Sequence, residues 1–171
     1  MTEAAVSDPS PPTPQALRAA LSGFATGVTI VTCSDAKGEP VGLTVNSFNA
    51  LSLEPPLVLW SLRNASPNLA AFAAARHFAI NVLAEPQVDL SRRFAAADAN
   101  ANKFDRGAWG QGRCSVPLLA GSAAAFECET VSSQVAGDHT LFIGRVLWAT
   151  GNTAAPLVFH GGRYHMLGEI L

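Results

Sequence analysis

The sequence predicts a mainly β protein, a closed antiparallel β-barrel with helical additions, and three observations predict it. Runs such as VTIVTCS (Val28 to Ser34) and FAINVL (Phe78 to Leu83) are short, β-branched or aliphatic, and bounded by turn signals, as strands are. Tight turns join neighbouring runs, DAKG from Asp35 to Gly38 and Gly137-Asp138-His139 between AAAFECETVSSQVA and TLFIGRVLWAT. The regular strand and helix alternation of a doubly wound sheet is missing, and the nearest approach to GxGxxG, GQGRCS at Gly110, lacks the third glycine.

Taken in order, residues 1–14 read as a flexible tail rich in Pro and Ser, and residues 15–171 as one domain. Thr13 before Pro14 is an N-cap with Pro at the first helical position, so QALRAALS is a helix that Gly23 can stop. After the Val28 strand a second extended run begins at Val41 and continues to the Pro55-Pro56 break, and LVLWSL (Leu57 to Leu62) follows as a third strand ending near Ser61. Ser66 before Pro67 repeats the cap signature and places a helix through about Arg76. A further helical patch runs from Pro86 to about Ala95, and ADANANKFDRGAWGQGR reads as a long surface loop. Gly151-Asn152 and Gly161-Gly162 mark later turns, giving six or more strands and about three helices.

Apolar residues make up 49% of the 171 positions and charged ones 14%, against roughly 25% in typical soluble domains. A subunit interface explains that shortage of charge. The net charge of −2 and the scattered Lys and Arg leave no basic footprint, so nucleic acid is not an expected partner. The N-terminus has neither a positive n-region nor an apolar h-region, and AAFAAARHFAINVLA is interrupted by Arg76, His77 and Asn81, so no membrane segment is expected. Cys33, Cys114 and Cys128 are odd in number and lack CxxC spacing, which suits a reducing cytoplasm, with Cys128 a small core residue.

GxSxG, GxxxxGK[ST] and HExxH are absent. His160 and His165 flank a glycine turn and could face each other as a metal pair, but no third ligand stands out. Asp138 precedes His139, yet neighbours on an extended chain point apart, so a dyad is not expected. In GLTVNSFNALSLEPPLVLWSL (Gly42 to Leu62), Thr44 and Asn46 share one face and Leu43 and Val45 the other. That polar row is either a solvent-facing strand edge or the lining of a ligand site. Ser66-Pro67 is either a plain cap or an anion site at a helix N-terminus, and His139 is either structural or functional.

GFATGVTIVT, GLTVNSFNALSLEPPLVLWSL, FAINVL with Gln87, Leu90, Ser91 and Phe94, Lys103-Phe104, FEC at Phe126, GDHTLFIGRV and PLVFHGGRY occur in register. Together, from about Gln15 to Leu167, they closely resemble the flavin reductase-like family. Glu54 departs from the Asp usual before the paired prolines, at a turn position. The resemblance implies an FMN-binding split barrel of antiparallel Greek-key type, usually a homodimer. It implies an NAD(P)H:flavin oxidoreductase that passes hydride from NADH or NADPH to FMN or FAD and supplies reduced flavin to a partner monooxygenase.

By the same resemblance Thr44, Val45, Asn46 and Ser47 line the flavin, Ser61 and Ser66 lie near the ribityl phosphate, and Asn81 and Lys103-Phe104 complete the wall. The Lys would supply charge for the phosphate. His139, from the GDH motif, is the expected catalytic-site residue and borders the nicotinamide pocket. Arg63, Arg92, Arg93 and Arg106 are available for a 2′-phosphate. Two other classes stay open, a flavin storage or sensing module without turnover and a small-molecule barrel without a cofactor.

Overall fold

A computed structural model describes residues 10–96 and 102–169. Residues 1–9 of the expected tail, residues 97–101 of the expected loop, and Ile170 and Leu171 lie outside the described residues. Helix α1 (Pro14–Leu21) begins as its signature dictates, with Thr13 Oγ1 accepting from the Ala16 N–H at 3.2 Å. It buries none of its residues. The strands β1 (Thr26–Gly27), β2 (Thr29–Ser34), β3 (Pro40–Val45), β4 (Asn49–Leu53) and β5 (Pro56–Arg63) follow. Then come α2 (Leu69–Ala74), β6 (His77–Val82), α3 (Val88–Ala95), β7 (Trp109–Gln111) and β8 (Pro117–Leu119). The chain ends in the long hairpin β9 (Ala124–Ala136) and β10 (His139–Gly151) and the short one β11 (Val158–His160) and β12 (Arg163–His165).

Seven strands form one antiparallel sheet in the order β3-β2-β6-β9-β10-β5-β4. β3 and β4 are its two edges, yet only Asn46, Ser47 and Phe48 separate them in sequence. Six spacings of about 4.8 Å would put the edges of a flat sheet about 29 Å apart. Four Cα steps reach at most about 14 Å. The sheet must therefore roll until its edges meet, and β3 does lie against β5 across the seam. The run read as one strand from Val41 is thus two strands on opposite edges, because the chain has to cross the seam and cannot pair while doing so.

Ser47 closes the seam at one point. Its Oγ accepts from the Ser61 N–H at 3.0 Å and donates to the Ser61 carbonyl at 3.1 Å. β4 pairs with β5 only as far as Leu59, so one hydroxyl does for Ser61 what the next strand residue would have done.

The barrel interior is aromatic. Trp60 stacks on Phe142 with ring centroids 4.7 Å apart and meets Phe72 edge-on at 5.0 Å, and Phe78 completes the cluster. A second core, with Val28, Ile30, Leu83, Phe94, Leu119 and Leu157, fills the space under α3 and the β7–β8 pair. Asn81 is fully buried and ties that pair to the barrel: Nδ2 donates to the Ile30 carbonyl at 3.1 Å, and Oδ1 accepts from the Leu119 N–H at 2.8 Å. The stretch expected as a long surface loop contains a 3-10 turn at Lys103–Asp105 and strand β7, because β8 is available to pair with it.

Among the described residues no helix is long and apolar enough to cross a membrane. Burial pushes the Cys33 and Cys128 thiols up to about 12, so neither is a nucleophile at neutral pH. Cys128 is a core residue, as expected.

Two substitutions test the packing. A Cβ at Gly144 would collide with the Phe78 ring and meet Cys128 Cβ at 3.1 Å, so Gly144→Ala is expected to cost about 1–3 kcal/mol in urea denaturation. Ser47→Ala leaves the Ser61 N–H and carbonyl unpaired and is expected to cost about 1–2 kcal/mol. Unchanged midpoints would show that the barrel does not depend on these contacts.

Candidate active site

A cleft of about 490 Å³ opens where the seam crosses the barrel. The chain reaches it from four directions: the end of β3 with Asn46 and Ser47, the end of β5 with the loop to Asn68, the C-terminal end of α3, and the start of β10. Seven expected site residues line it: Thr44, Val45, Asn46, Ser47, Ser61, Ser66 and His139.

The face assignment along β3 holds. Leu43 and Val45 belong to the aromatic core, whereas Gly42 and Thr44 face α3. Thr44 Oγ1 donates to the Ser91 carbonyl at 2.7 Å, and a Cβ at Gly42 would come within 2.9 Å of the Phe94 ring. The polar row is therefore not a bare strand edge. Two of its hydroxyls are spent on the framework, Thr44 on α3 and Ser47 on β5, while Asn46 is exposed at the crossing.

Two expected wall residues stand next door. Lys103 and Phe104 line a neighbouring cavity of about 320 Å³ that shares Asn68 with the cleft. Lys103 Nζ donates to the Ala96 carbonyl at 2.8 Å and the Phe94 carbonyl at 3.4 Å, where a cation satisfies the end of α3. Asn81 is a correction. It does not line the cleft, because both ends of its amide are committed inside the barrel and no part of it is exposed.

Ser66 is also reassigned. α2 starts at Leu69, spans six residues and ends at Ala74, short of Arg76, which pairs with Glu129 at 3.2 Å. Ser66 caps a turn instead: its Oγ accepts from the Asn68 N–H at 3.3 Å and its carbonyl from the Leu69 N–H at 3.1 Å. The polar groups presented to the cleft there belong to a turn and not to a helix terminus.

A second correction concerns Asp138 and His139. Their side chains meet, with Nδ1 2.7 Å from Asp138 Oδ1. The expectation that they diverge assumed an extended chain, but Asp138 sits in the turn after Gly137, whose φ is +62°, and β10 begins only at His139. The hydrogen bond to His139 holds the Asp138 carboxyl below the ordinary carboxylate range. His160 and His165 do face each other, with ring centroids 5.8 Å apart. Among the described residues no group of three or more His, Cys, Asp or Glu could hold a metal ion.

Leu62, Arg63, Asn68, Phe94 and Ala95 line the cleft without having been assigned to it. Arg63 was within reach of sequence reasoning, since a period of two places it on the face of Ser61. Phe94 was not, because only the packing of α3 on Gly42 brings its ring to the site. The resulting lining is apolar along Leu43, Val45, Leu62 and Phe94 and polar toward Arg63, Ser66, Asn68 and His139. Such a lining suits a flat ring with a polar or anionic tail.

Comparison with known proteins points to one family. The family model described as "Flavin reductase like domain" matches residues 21–168. The chain is 45% identical over 150 residues to FMN reductase (NADH) SmoA of Agrobacterium fabrum, an alignment covering 88% of this chain and 84% of SmoA. It is 42% identical to the reductase component of the flavin-dependent trigonelline monooxygenase of Acinetobacter baylyi, covering 86% of this chain and 47% of that protein. The chain thus spans about half the length of several curated relatives it matches. Among solved structures, the NADH:FAD oxidoreductase SgcE6 of Streptomyces globisporus, in complex with NAD and FAD fragments, superposes with a TM-score of 0.84 at 36% identity. That superposition covers 90% of this chain and 92% of SgcE6. With its split-barrel fold and a family match over most of its length, the chain belongs to the flavin reductase-like family.

Proposed function

We propose that this flavin reductase oxidises NADH and supplies reduced FMN or FAD to a partner monooxygenase, with the flavin held in the Thr44–Ser47 cleft. The observation that carries this reading is the convergence of seven expected residues, from β3, β5, the loop after β5 and β10, on one cleft in a chain of this family. The lining fits a flavin: its apolar stretch would cover a ring, and its polar end offers Arg63, Ser66 and Asn68 to a phosphate-bearing tail. Arg63 is the cation of that lining, which gives it the phosphate role expected of Lys103.

A bound flavin supplies the hydride acceptor at N5 and the nicotinamide the donor at C4. The residues around them have to bind, orient and exclude water. Leu43 and Val45 back β3 from its core face and Phe94 covers its other face, so apolar side chains exclude water on both sides of that strand. His139 lines the cleft from the start of β10, beside its strand partner Arg63, and is the side chain we assign to the nicotinamide. His139 and Arg63 are the ionisable side chains of the lining, and hydride transfer between the two cofactors would use them to bind and orient. NADH is favoured over NADPH by the names of SmoA and SgcE6, which divide between FMN and FAD. The monooxygenase partner is supported by relatives named as reductase components, and a cytoplasmic setting by three free thiols.

The homodimer rests on apolar surface. Leu57, Leu59, Leu141 and Ile143 alternate with the core residues of β5 and β10 and so face outward, while Leu53 is 94% and Phe24 71% exposed. Light scattering is expected to return twice the 17.8 kDa chain mass, and a monomer would overturn the dimer.

NADH oxidation followed at 340 nm is expected to depend on added FMN or FAD. No oxidation with flavin still bound would point to a storage or sensing module. His139→Ala is expected to raise the apparent KM for NADH about fivefold to tenfold and leave flavin affinity within about twofold. Unaltered NADH dependence would remove His139 from the site's chemistry.

A further inference from the structure

The tip of the β9–β10 hairpin has little to hold it. From Val131 to Asp138 every residue is exposed, and Val135 is 67% exposed, so no core packing fixes the turn that delivers His139. Beyond the end of the β5 ladder, Asn64 grips it through main chain and side chain. The main-chain N–H of Asn64 donates to the Asp138 carbonyl at 2.9 Å. Its Nδ2 donates to the Gly137 carbonyl at 3.2 Å, and its Oδ1 accepts from Thr140 Oγ1 at 2.8 Å.

Asn64 thus binds residues 137, 138 and 140, both flanks of His139, and leaves the imidazole to Asp138 and the cleft. It is also placed to set a distance. Its neighbour Arg63 is the antiparallel partner of His139, and Asn64 begins the loop that carries Ala65, Ser66, Pro67 and Asn68 into the cleft. Asparagine is suited to this double task, because one amide offers a donor and an acceptor on opposite edges. An aspartate has no donor for the Gly137 carbonyl, and an alanine has neither group.

We propose that Asn64 is a positioning residue for the reductase, fixing His139 against the loop that forms the polar end of the cleft. The proposal rests on the reading of that cleft as the reductase site. Asn64 does not line the cleft, so its effect has to pass through His139 and the loop, and a double-mutant cycle isolates that path.

The test uses the full chain and five variants, Asn64→Ala, Asn64→Asp, Thr140→Val, His139→Ala and the double variant of Asn64→Ala with His139→Ala. Asn64→Ala is expected to lower kcat/KM for NADH about fivefold with flavin affinity within about twofold, and Asn64→Ala with His139→Ala is expected to be no worse than His139→Ala alone. Losses that multiply would show that Asn64 acts independently of His139 and overturn the proposal. A readout without flavin or NADH separates this from the functional reading. The 13C and 15N ring signals of His139, assigned by their loss in His139→Ala, should move in Asn64→Ala and Asn64→Asp while those of His160 and His165 stay. Unmoved His139 signals overturn the positioning role even if the enzyme turns over, and moved signals uphold it even if it does not. If Asn64→Ala fails to fold, Asn64→Asp and Thr140→Val, which each remove one of the contacts, are held to the same two outcomes.

Discussion

The structure depends on closing a seven-stranded sheet with a three-residue crossing. Asn46, Ser47 and Phe48 must connect strands that would be far apart in a flat sheet, so they cannot lie in the ladder. Each does something a ladder residue could not. Phe48 turns inward onto Phe126 at 5.6 Å, Ser47 substitutes for a strand residue beside Ser61, and Asn46 is left exposed at the mouth of the cleft. Between the inner strands of the sheet the backbone polar groups are consumed by pairing. At the crossing they are not, which is why a polar ligand site belongs at the seam and not on a strand face.

The buried polar side chains serve attachment. Asn81, Thr32 and Glu127 each bind main-chain groups of the segment that holds β7 and β8: Thr32 Oγ1 donates to the Pro117 carbonyl at 2.6 Å, and the Glu127 carboxylate accepts from the Arg113 and Cys114 N–H groups at 3.1 and 2.7 Å. A carboxylate that is only 1% exposed is tolerable because those donors replace its water. The ends of the segment around residues 96 and 102 are clasped in the same way. Arg93 donates to the Asn102 and Lys103 carbonyls, and Lys103 to those of Phe94 and Ala96. Phe94 is thereby held where its ring serves both the second core and the cleft wall.

Local chemistry made much of this legible in the sequence. Thr13-Pro14 marked α1, and the turns at Asp35 and Gly137 marked hairpins, features whose signal lies within a few residues, whereas the polar row after Gly42 left an edge and a ligand lining open until the family resemblance was added. The failures share a cause as well. The break of one extended run at Val45 is imposed by sheet closure, and the commitment of Asn81 to the Ile30 carbonyl and the Leu119 N–H is imposed by partners 51 and 38 residues away. Asp138 was misread because an extended geometry was carried one residue too far into a turn. The role of Ser66 shifted because Pro67 and Asn68 made a turn before the helix could start. Short-range patterns marked local elements, but not which side-chain atoms would be taken by distant partners.

The two sides of the cleft differ in what holds them. The β3 and β5 side is backed by Val45, Trp60 and Leu62 in the main core, and the α3 side by Phe94 in the second, so moving either would expose apolar surface. The His139 side rises from a hairpin tip without a core, attached by register and by hydrogen bonds that water can replace. Opening it costs far less than opening the other walls. A flavin ring needs the rigid walls, because hydride transfer depends on where the acceptor atom sits. A nicotinamide that must enter and leave once per turnover is better served by the side that can give. On the proposed reading the flavin takes the cored walls and the nicotinamide the His139 side, and the asymmetry follows from where the barrel core ends.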